Sequence, residues 1–379
     1  MRKPALFLFT LFALYSLLPP GATAEQRFKQ EKRQKDVINP VPLPEEPPAA
    51  VAASTSHLSF DVSPLTTKGL LSEQVRNALK AIQRQSRGGS IIKLRAFVAG
   101  SGDIRRVQAI VSEVFTERRL PLPVLTIIQV GGLPVDGAHV VIESCSVSRK
   151  VQNPNGLAFI SGQAATSEEI VLDVAPLARK SIGKLAEAVR AAGAERDDVL
   201  RATCFLSSLQ DINAVRSVAM TQFPRAKWNF VQTLRAQSRS LVECEAIARL
   251  RTPVGEPLRF LNPPGLPQSP NYSQVALVGA RQVVFSGGRL AFRFQADDVR
   301  LAFQRLGRDL AQKGASLKDV AMASVYPLSD AVADLVRKVR FEFYDKDRPP
   351  ASTMLPFEGL PGLDASLVLE AVAVLPNSR

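Results

Sequence analysis

The sequence predicts an α/β protein made of three repeated units. Each is a mixed β-sheet with two helices on one face, and the three pack together as an intramolecular pseudo-trimer. Look-alike strands close the repeats: VVIESCSV (140–147), VECEAIARL (242–250) and VLEAVAV (368–374), carrying Glu143, Glu245 and Glu370. An amphipathic segment precedes each one, DIRRVQAIVSEVF from Asp103, DINAVRSVAMTQF from Asp211 and DAVADLVRKVRFEFY from Asp330. The repeat is too long for a solenoid unit, so each copy is expected to be a small domain.

Along the chain, Arg2 and Lys3 lead into an apolar run from Ala5 to Leu18, then Pro-Pro and Ala22-Thr23-Ala24. A basic start, a short apolar run and an A-x-A site read as an export signal over 1–24, cleaved after Ala24. The alternative is an uncleaved N-terminal anchor. The expected location is periplasmic or secreted, with no membrane span after cleavage. Residues 25–57 read as a charged, Pro-rich linker that cannot bury a core. The repeats then occupy 58–150, 151–252 and 253–379, the last opening with a Pro-rich connector, PVGEPLRFLNPPGLPQSP.

Within the units the order is strand, helix, strand, helix, strand, strand. GLAFISGQ (156–163) and QVVFSGGR (282–289) read as apolar strands closed by a Ser-Gly turn. One-sided apolar stripes mark the first helices: Val75, Leu79 and Ile82; Ile182, Leu185 and Val189; Val299, Phe303, Leu306 and Leu310. Gly193 and Gly314 suit left-handed helix ends. The second helices carry Val107, Ile110 and Val114; Val215, Val218 and Phe223; Leu335, Val339 and Phe343. NYSQVALVGA (271–280) gives the third unit an opening strand, whereas the first unit has no obvious one. Helices cover one face of each sheet, and joining the bare faces is the economical way to cover the other. A monomer with internal threefold pseudosymmetry follows.

The net charge of +13 comes from dispersed basic residues, aromatics are 6%, and no aromatic-basic patch appears, so nucleic acid is not the expected partner. Cys145, Cys204 and Cys244 fall in expected strands and read as buried apolar residues rather than a disulfide or metal set. With His57 and His139 the only histidines, a His-based zinc site or a repeated Ser-His-Asp triad is excluded. No cofactor is implied.

In the third copy SPNYSQVALVG, VVFSGG, ASLKDVAMASVYPLSD, DRPPAST and LVLEAVAV resemble successive blocks of the RidA/YjgF family of reactive-intermediate imine deaminases. FISGQ in the second copy and LPVLTIIQVGGLPVDGAHVVIESCSV in the first resemble it too, so the likeness spans roughly 58–376. The resemblance implies a chorismate-mutase-like fold and three clefts between neighbouring units. It also implies an arginine, in R-P-A-R-S-T, that holds a substrate carboxylate, and a closing-strand glutamate that handles the hydrolytic water. Tyr and Ser of the early strands would line the cleft. At the arginine position this chain has Leu125 in the first copy, Ala351 in the third, and either Ala226 or Lys227, beside Arg225, in the second.

The candidate catalytic residues are therefore Glu143, Glu245 and Glu370. Each lies on an apolar strand face and needs a partner there. They are read either as retained acids or as interface residues held by backbone donors or a neighbouring base. Candidate binding residues are Lys227, Tyr272, Ser161, Ser286 and Arg348, with Arg289 a further cation and Trp228 a packing anchor or pocket wall. Two functions follow: a small-metabolite binding protein or scaffold without standard 2-imino-acid deaminase activity, or a hydrolytic imine/enamine deaminase using the strand glutamates. The RNA-cleaving activity also attached to the family is a weaker third reading.

Overall fold

In a computed structural model of the chain, residues 45–376 except Ser101 are described. The expected export segment, 1–24, and residues 25–44 of the expected linker lie outside them. In the first unit the elements are β1 (Ala50–Ser54), β2 (Leu58–Val62), α1 (Leu71–Gln85), β3 (Ser90–Ala99), α2 (Arg106–Glu117), β4 (Val124–Val130) and β5 (Val140–Val147). The second has β6 (Leu157–Ser167), α3 (Ala175–Ala191), β7 (Val199–Leu206), α4 (Ile212–Gln222), β8 (Lys227–Gln232) and β9 (Ser240–Arg249). There follow β10 (Leu258–Leu261), β11 (Val275–Val278), β12 (Gln282–Ser286), β13 (Arg289–Phe292), α5 (Ala296–Ala311), β14 (Val320–Pro327), α6 (Asp330–Val339), β15 (Ala351–Met354) and β16 (Ala365–Val374).

Three mixed sheets form, in the orders β2-β5-β3-β4, β10-β11-β6-β9-β7-β8, and β1-β12-β16-β14-β15 with β13 also on β16. The apolar stripes do what their spacing predicts. Val75, Leu79, Ile82, Val299, Phe303, Leu306 and Leu310 are buried against their own sheets. Gly193 and Gly314 end α3 and α5 in left-handed conformation, at φ 73° and 83°. Among the described residues no helix is long and apolar enough to cross a membrane.

Two expectations about strand ownership need correction. Residues 50–54, read as linker, are β1, paired antiparallel with β12 in the third sheet. The opening strand assigned to the third unit, β11, pairs instead with β6 in the second sheet. Only Gly279, Ala280 and Arg281 separate β11 from β12, and the chain steps from one sheet to the next there. A Cβ at Gly279 would lie 2.7 Å from the Glu256 carbonyl, so the crossing depends on a glycine. These exchanged strands stitch the second unit to the third and the first described strand to the sheet of the third unit.

Five apolar clusters result. Three lie between a sheet and its helices. The other two lie where the sheets' inner faces meet. One is centred on Phe60, Phe159 and Phe285, the other on Phe97, Phe205, Tyr326 and Phe357. The bare faces cover one another, as the pseudo-trimer requires.

The cysteines also differ from expectation. Cys204 and Cys244 face each other across β7 and β9 and are joined by a disulfide, with 4.1 Å between their Cα atoms. Cys145 is a buried free thiol whose ionisation burial strongly opposes. Closing a loop of 40 residues restricts the unfolded chain. Replacing both Cys204 and Cys244 by Ala is expected to lower unfolding stability by about 2–4 kcal/mol. Dithiothreitol should destabilise the wild type and leave the double variant unaffected. Identical denaturation midpoints for wild type and variant would contradict the bridge.

Candidate functional site

The three glutamates sit at matching places in the three sheets, opposite Arg95, Thr203 and Ser324 on the central strands. Because the sheets meet face to face, the carboxylates converge on one another instead of standing in three separate clefts. Arg95 Nε donates to Glu143 at 2.8 Å, its Nη2 to Glu245 at 2.6 Å and its Nη1 to the Tyr326 hydroxyl at 2.9 Å. Tyr326 in turn donates to Glu370 at 2.7 Å. Lys93 bonds Glu370, Thr126 and the Ser286 carbonyl. Thr203 and Asn229 donate to the remaining oxygen of Glu143, and Arg201 Nε lies 3.5 Å from the oxygen that Arg95 bonds. Three acids face three cations, and the cluster is close to neutral.

This cluster lines a small axial cavity of about 60 Å³, room for a few water molecules. Burial opposes ionisation of Glu370, but Lys93 and Arg95 overcome it and bring its pKa down to about 2. Burial likewise works against Glu143, and Arg201 and Arg95 hold it below the ordinary carboxylate range. Glu245 accepts from Arg95 with one oxygen, and its other oxygen is buried without a partner among the described residues. A fourth acid, Glu243, occupies the place of Val141 and Val368. Burial and the neighbouring Glu245 push its pKa up to about 8. Its carboxyl lies where a Cβ at Gly162 would be, so that glycine makes room for it.

The strands also fix the register of the expected arginine. A bulge at the same place in β3, β7 and β14 precedes Lys93, Arg201 and Met322. Their partners on the adjacent parallel strands are Val124, Lys227 and Ala351. The first-copy equivalent of Ala351 is therefore Val124, not Leu125, and the second-copy equivalent is Lys227, not Ala226. Val124 and Ala351 are fully buried. Next to them the Ser-Gly turn of a neighbouring unit is bonded in. Gly288 N–H donates to the Leu125 carbonyl, Gly162 N–H to Thr353 Oγ1, and Ser352 N–H to Ser161 Oγ. Lys227 alone is exposed, in a cleft between the first and second units.

The other candidates divide. Ser161 donates to the Ser273 carbonyl and accepts from Ser352 N–H, while Ser286 Oγ accepts from Ala371 N–H, so both are committed to joining strands. Arg348 donates to the Leu258 carbonyl and lies over Phe260, and Arg289 pairs with Asp309. Tyr272 is half-buried near Glu243. Trp228 stacks on Phe230 with centroids 5.5 Å apart and donates to the Phe223 carbonyl, a packing role. Sequence reasoning missed Lys93, Arg95 and Arg201. The available signal was a cation on the glutamate-facing side of an otherwise apolar strand, in SIIKLRAFVA and VLRATCFL.

Removing Arg95 leaves its carboxylates under-compensated. Arg95→Met is expected to cost about 3–5 kcal/mol at neutral pH, with Glu143→Gln in the same chain recovering part of it. In the wild type, Glu370 has a folded pKa of about 2 against an ordinary value of 4.5. Its contribution is thus fully present above about pH 4.5 and lost as pH falls toward 2. In Arg95→Met the buried acids favour their protonated forms, so stability should rise on mild acidification. Parallel pH–stability curves for wild type and variant would contradict the charge-balance account.

Residues 145–250 match the family model described as Endoribonuclease L-PSP. Among solved structures, a YjgF/YER057c/UK114-family protein of Mycobacterium tuberculosis is 26% identical, over 24% of this chain and 78% of its own, with a TM-score of 0.23. The Rid-family protein YyfB of Yersinia pestis is 17% identical, over 31% of this chain and 99% of its own, with a TM-score of 0.28. A YjgF-family protein of Neisseria meningitidis is 18% identical, over 31% and 93%, with a TM-score of 0.23. No match is found among curated proteins. Each of these structures corresponds in extent to about one unit, and the family-model match over residues 145–250 falls largely on the second of the three mixed-sheet units.

Proposed function

We propose that this is an exported small-metabolite binding protein on the RidA fold, without standard 2-imino-acid deaminase activity. The observation that carries the reading is the set Val124, Lys227 and Ala351 at the position of the carboxylate-binding arginine. Valine and alanine offer no charge and no donor. Lysine offers a point charge without the planar two-pronged geometry of a guanidinium. Two clefts are closed by hydrogen bonds from the adjoining unit, which leaves the cleft at Lys227 as the place for a ligand.

Two of the three glutamates support the same reading. A hydrolytic water needs a carboxylate free to take its proton, with a pKa near the working pH. Glu143 and Glu370 are saturated with donors and shifted the other way. Export is supported by the A-x-A site after the apolar N-terminal run and by the Cys204–Cys244 disulfide, a bond typical of oxidising compartments.

The test is ammonia release from an enzymatically generated 2-imino acid by the purified protein. No acceleration over the uncatalysed rate is expected. Acceleration abolished by Lys227→Ala would overturn the non-catalytic reading in favour of a deaminase working in that cleft. For export, the N-terminus of protein recovered from the periplasm or medium should be Glu25; an intact Met1 in the cytoplasm would reject it.

A further inference from the structure

The cleft between the first and second units has a volume of 490 Å³, within the range of small-molecule sites. Six cations line it: Arg225, Lys227 and Arg249 from the second unit, and Arg87, Arg149 and Lys150 from the first. Arg225 lies 3.4 Å from Asp197, and Arg249 donates to Asp198 at 3.0 Å. The side chains of Arg87, Arg149, Lys150 and Lys227 make no hydrogen bond or ion pair with the described residues. The other acid of the cleft wall, Asp61, is partly buried and its pKa is raised by that burial, against the pull of Lys227, Arg87 and Arg201. The cleft therefore carries a surplus of positive charge.

That charge stands on both walls. Lys227 begins β8 on one side. On the other, Arg87 and Gly88 form a turn of two left-handed residues, φ 49° and 78°, after α1. The Arg149 guanidinium reaches that turn, its Nη2 3.7 Å from where a Cβ of Gly88 would stand. A left-handed conformation is uncommon for a long side chain and costs of order 1 kcal/mol or more. Here it places Arg87 in the same cleft lining as Arg149, and neither side chain has a partner among the described residues.

We propose that this cleft binds a small molecule with two separated anionic groups, phosphate or carboxylate, one held at Lys227 and the other by Arg87 and Arg149. The proposal rests on the reading of this cleft as the ligand site, and adds to it the second anionic group. The cleft's volume suits a small molecule, and its unpartnered cations come from two different units, Lys227 from the second and Arg87 and Arg149 from the first, so each side is assigned its own anionic group.

The test is calorimetric titration of the full chain with acetate, inorganic phosphate, succinate, citrate and fructose 1,6-bisphosphate. It is repeated on Lys227→Ala and on the double variant Arg87→Ala/Arg149→Ala. All three side chains are exposed, so thermal midpoints should match the wild type. At least one of succinate, citrate and the bisphosphate should bind about tenfold or more tighter than acetate and phosphate. The double variant should reduce that probe to the single-anion level, and Lys227→Ala should weaken every probe. Single-anion probes that bind as well as the others, lose affinity in Lys227→Ala and ignore the double variant would overturn the two-anion inference and leave the binding reading intact. Absence of binding by every probe would overturn both.

Discussion

Everything in this molecule is arranged around the neutralisation of three carboxylates brought to one place. Matching strands in matching sheets must deliver Glu143, Glu245 and Glu370 to the same axis once the bare faces close on each other. Three acids in a dry interior would protonate or push the units apart unless cations met them there. Arg95 reaches two of them directly and the third through Tyr326, while Lys93 and Arg201 complete the balance. Apolar layers lie on both sides of this charged one, with Phe60, Phe159 and Phe285 at one end and Phe97, Phe205, Tyr326 and Phe357 at the other. Those layers keep bulk solvent from the charged one, and the charge pairing is then obligatory.

One polypeptide can meet this constraint in a way three identical chains cannot. At the layer of Arg95 the equivalent residues are Thr203 and Ser324, small hydroxyls that leave the axis to a single guanidinium. An identical trimer would place three arginines or none there. The same freedom extends outward. Lys93, Arg201 and Met322 are equivalents with three different side chains, and so are Val124, Lys227 and Ala351. The exchange of β11 into the second sheet and β1 into the third then fastens the non-identical units in one order.

Much of this was legible in the sequence, because repetition and periodicity are local signals. The helical stripes at Val75, Ile182 and Val299, the glycine helix ends and the repeated strand glutamates needed no tertiary knowledge, whereas the sequence placed those glutamates in three clefts and not together. What escaped depended on pairing between distant segments. Ala50–Ser54 is alanine-rich and looks like linker until β12 supplies its partner. Cys204 and Cys244 become neighbours only through the β7–β9 register. The β3–β4 register that puts Val124 rather than Leu125 opposite Lys93 cannot be counted along the chain. Arg95 was visible as a cation in an apolar strand, yet its meaning required all three acids at once.

The energetics of the axis also separate the structural role of the glutamates from a chemical one. A carboxylate whose folded pKa is about 2, as for Glu370, binds a proton too weakly to draw one from water near neutrality. Freeing it would mean breaking the bonds from Lys93, Thr126 and Tyr326. The cost would fall on the joint between units, because Lys93 and Thr126 belong to the first and Glu370 to the third. The acid most shifted toward neutrality, Glu243, lies off the axis and takes no part in the network. At the cleft of Lys227 the balance is reversed: the side chains of Lys227, Arg87 and Arg149 are exposed and without partners among the described residues, so engaging an anion with them breaks nothing that holds the units together. Stability is concentrated where the units meet, and capacity for a ligand where they diverge.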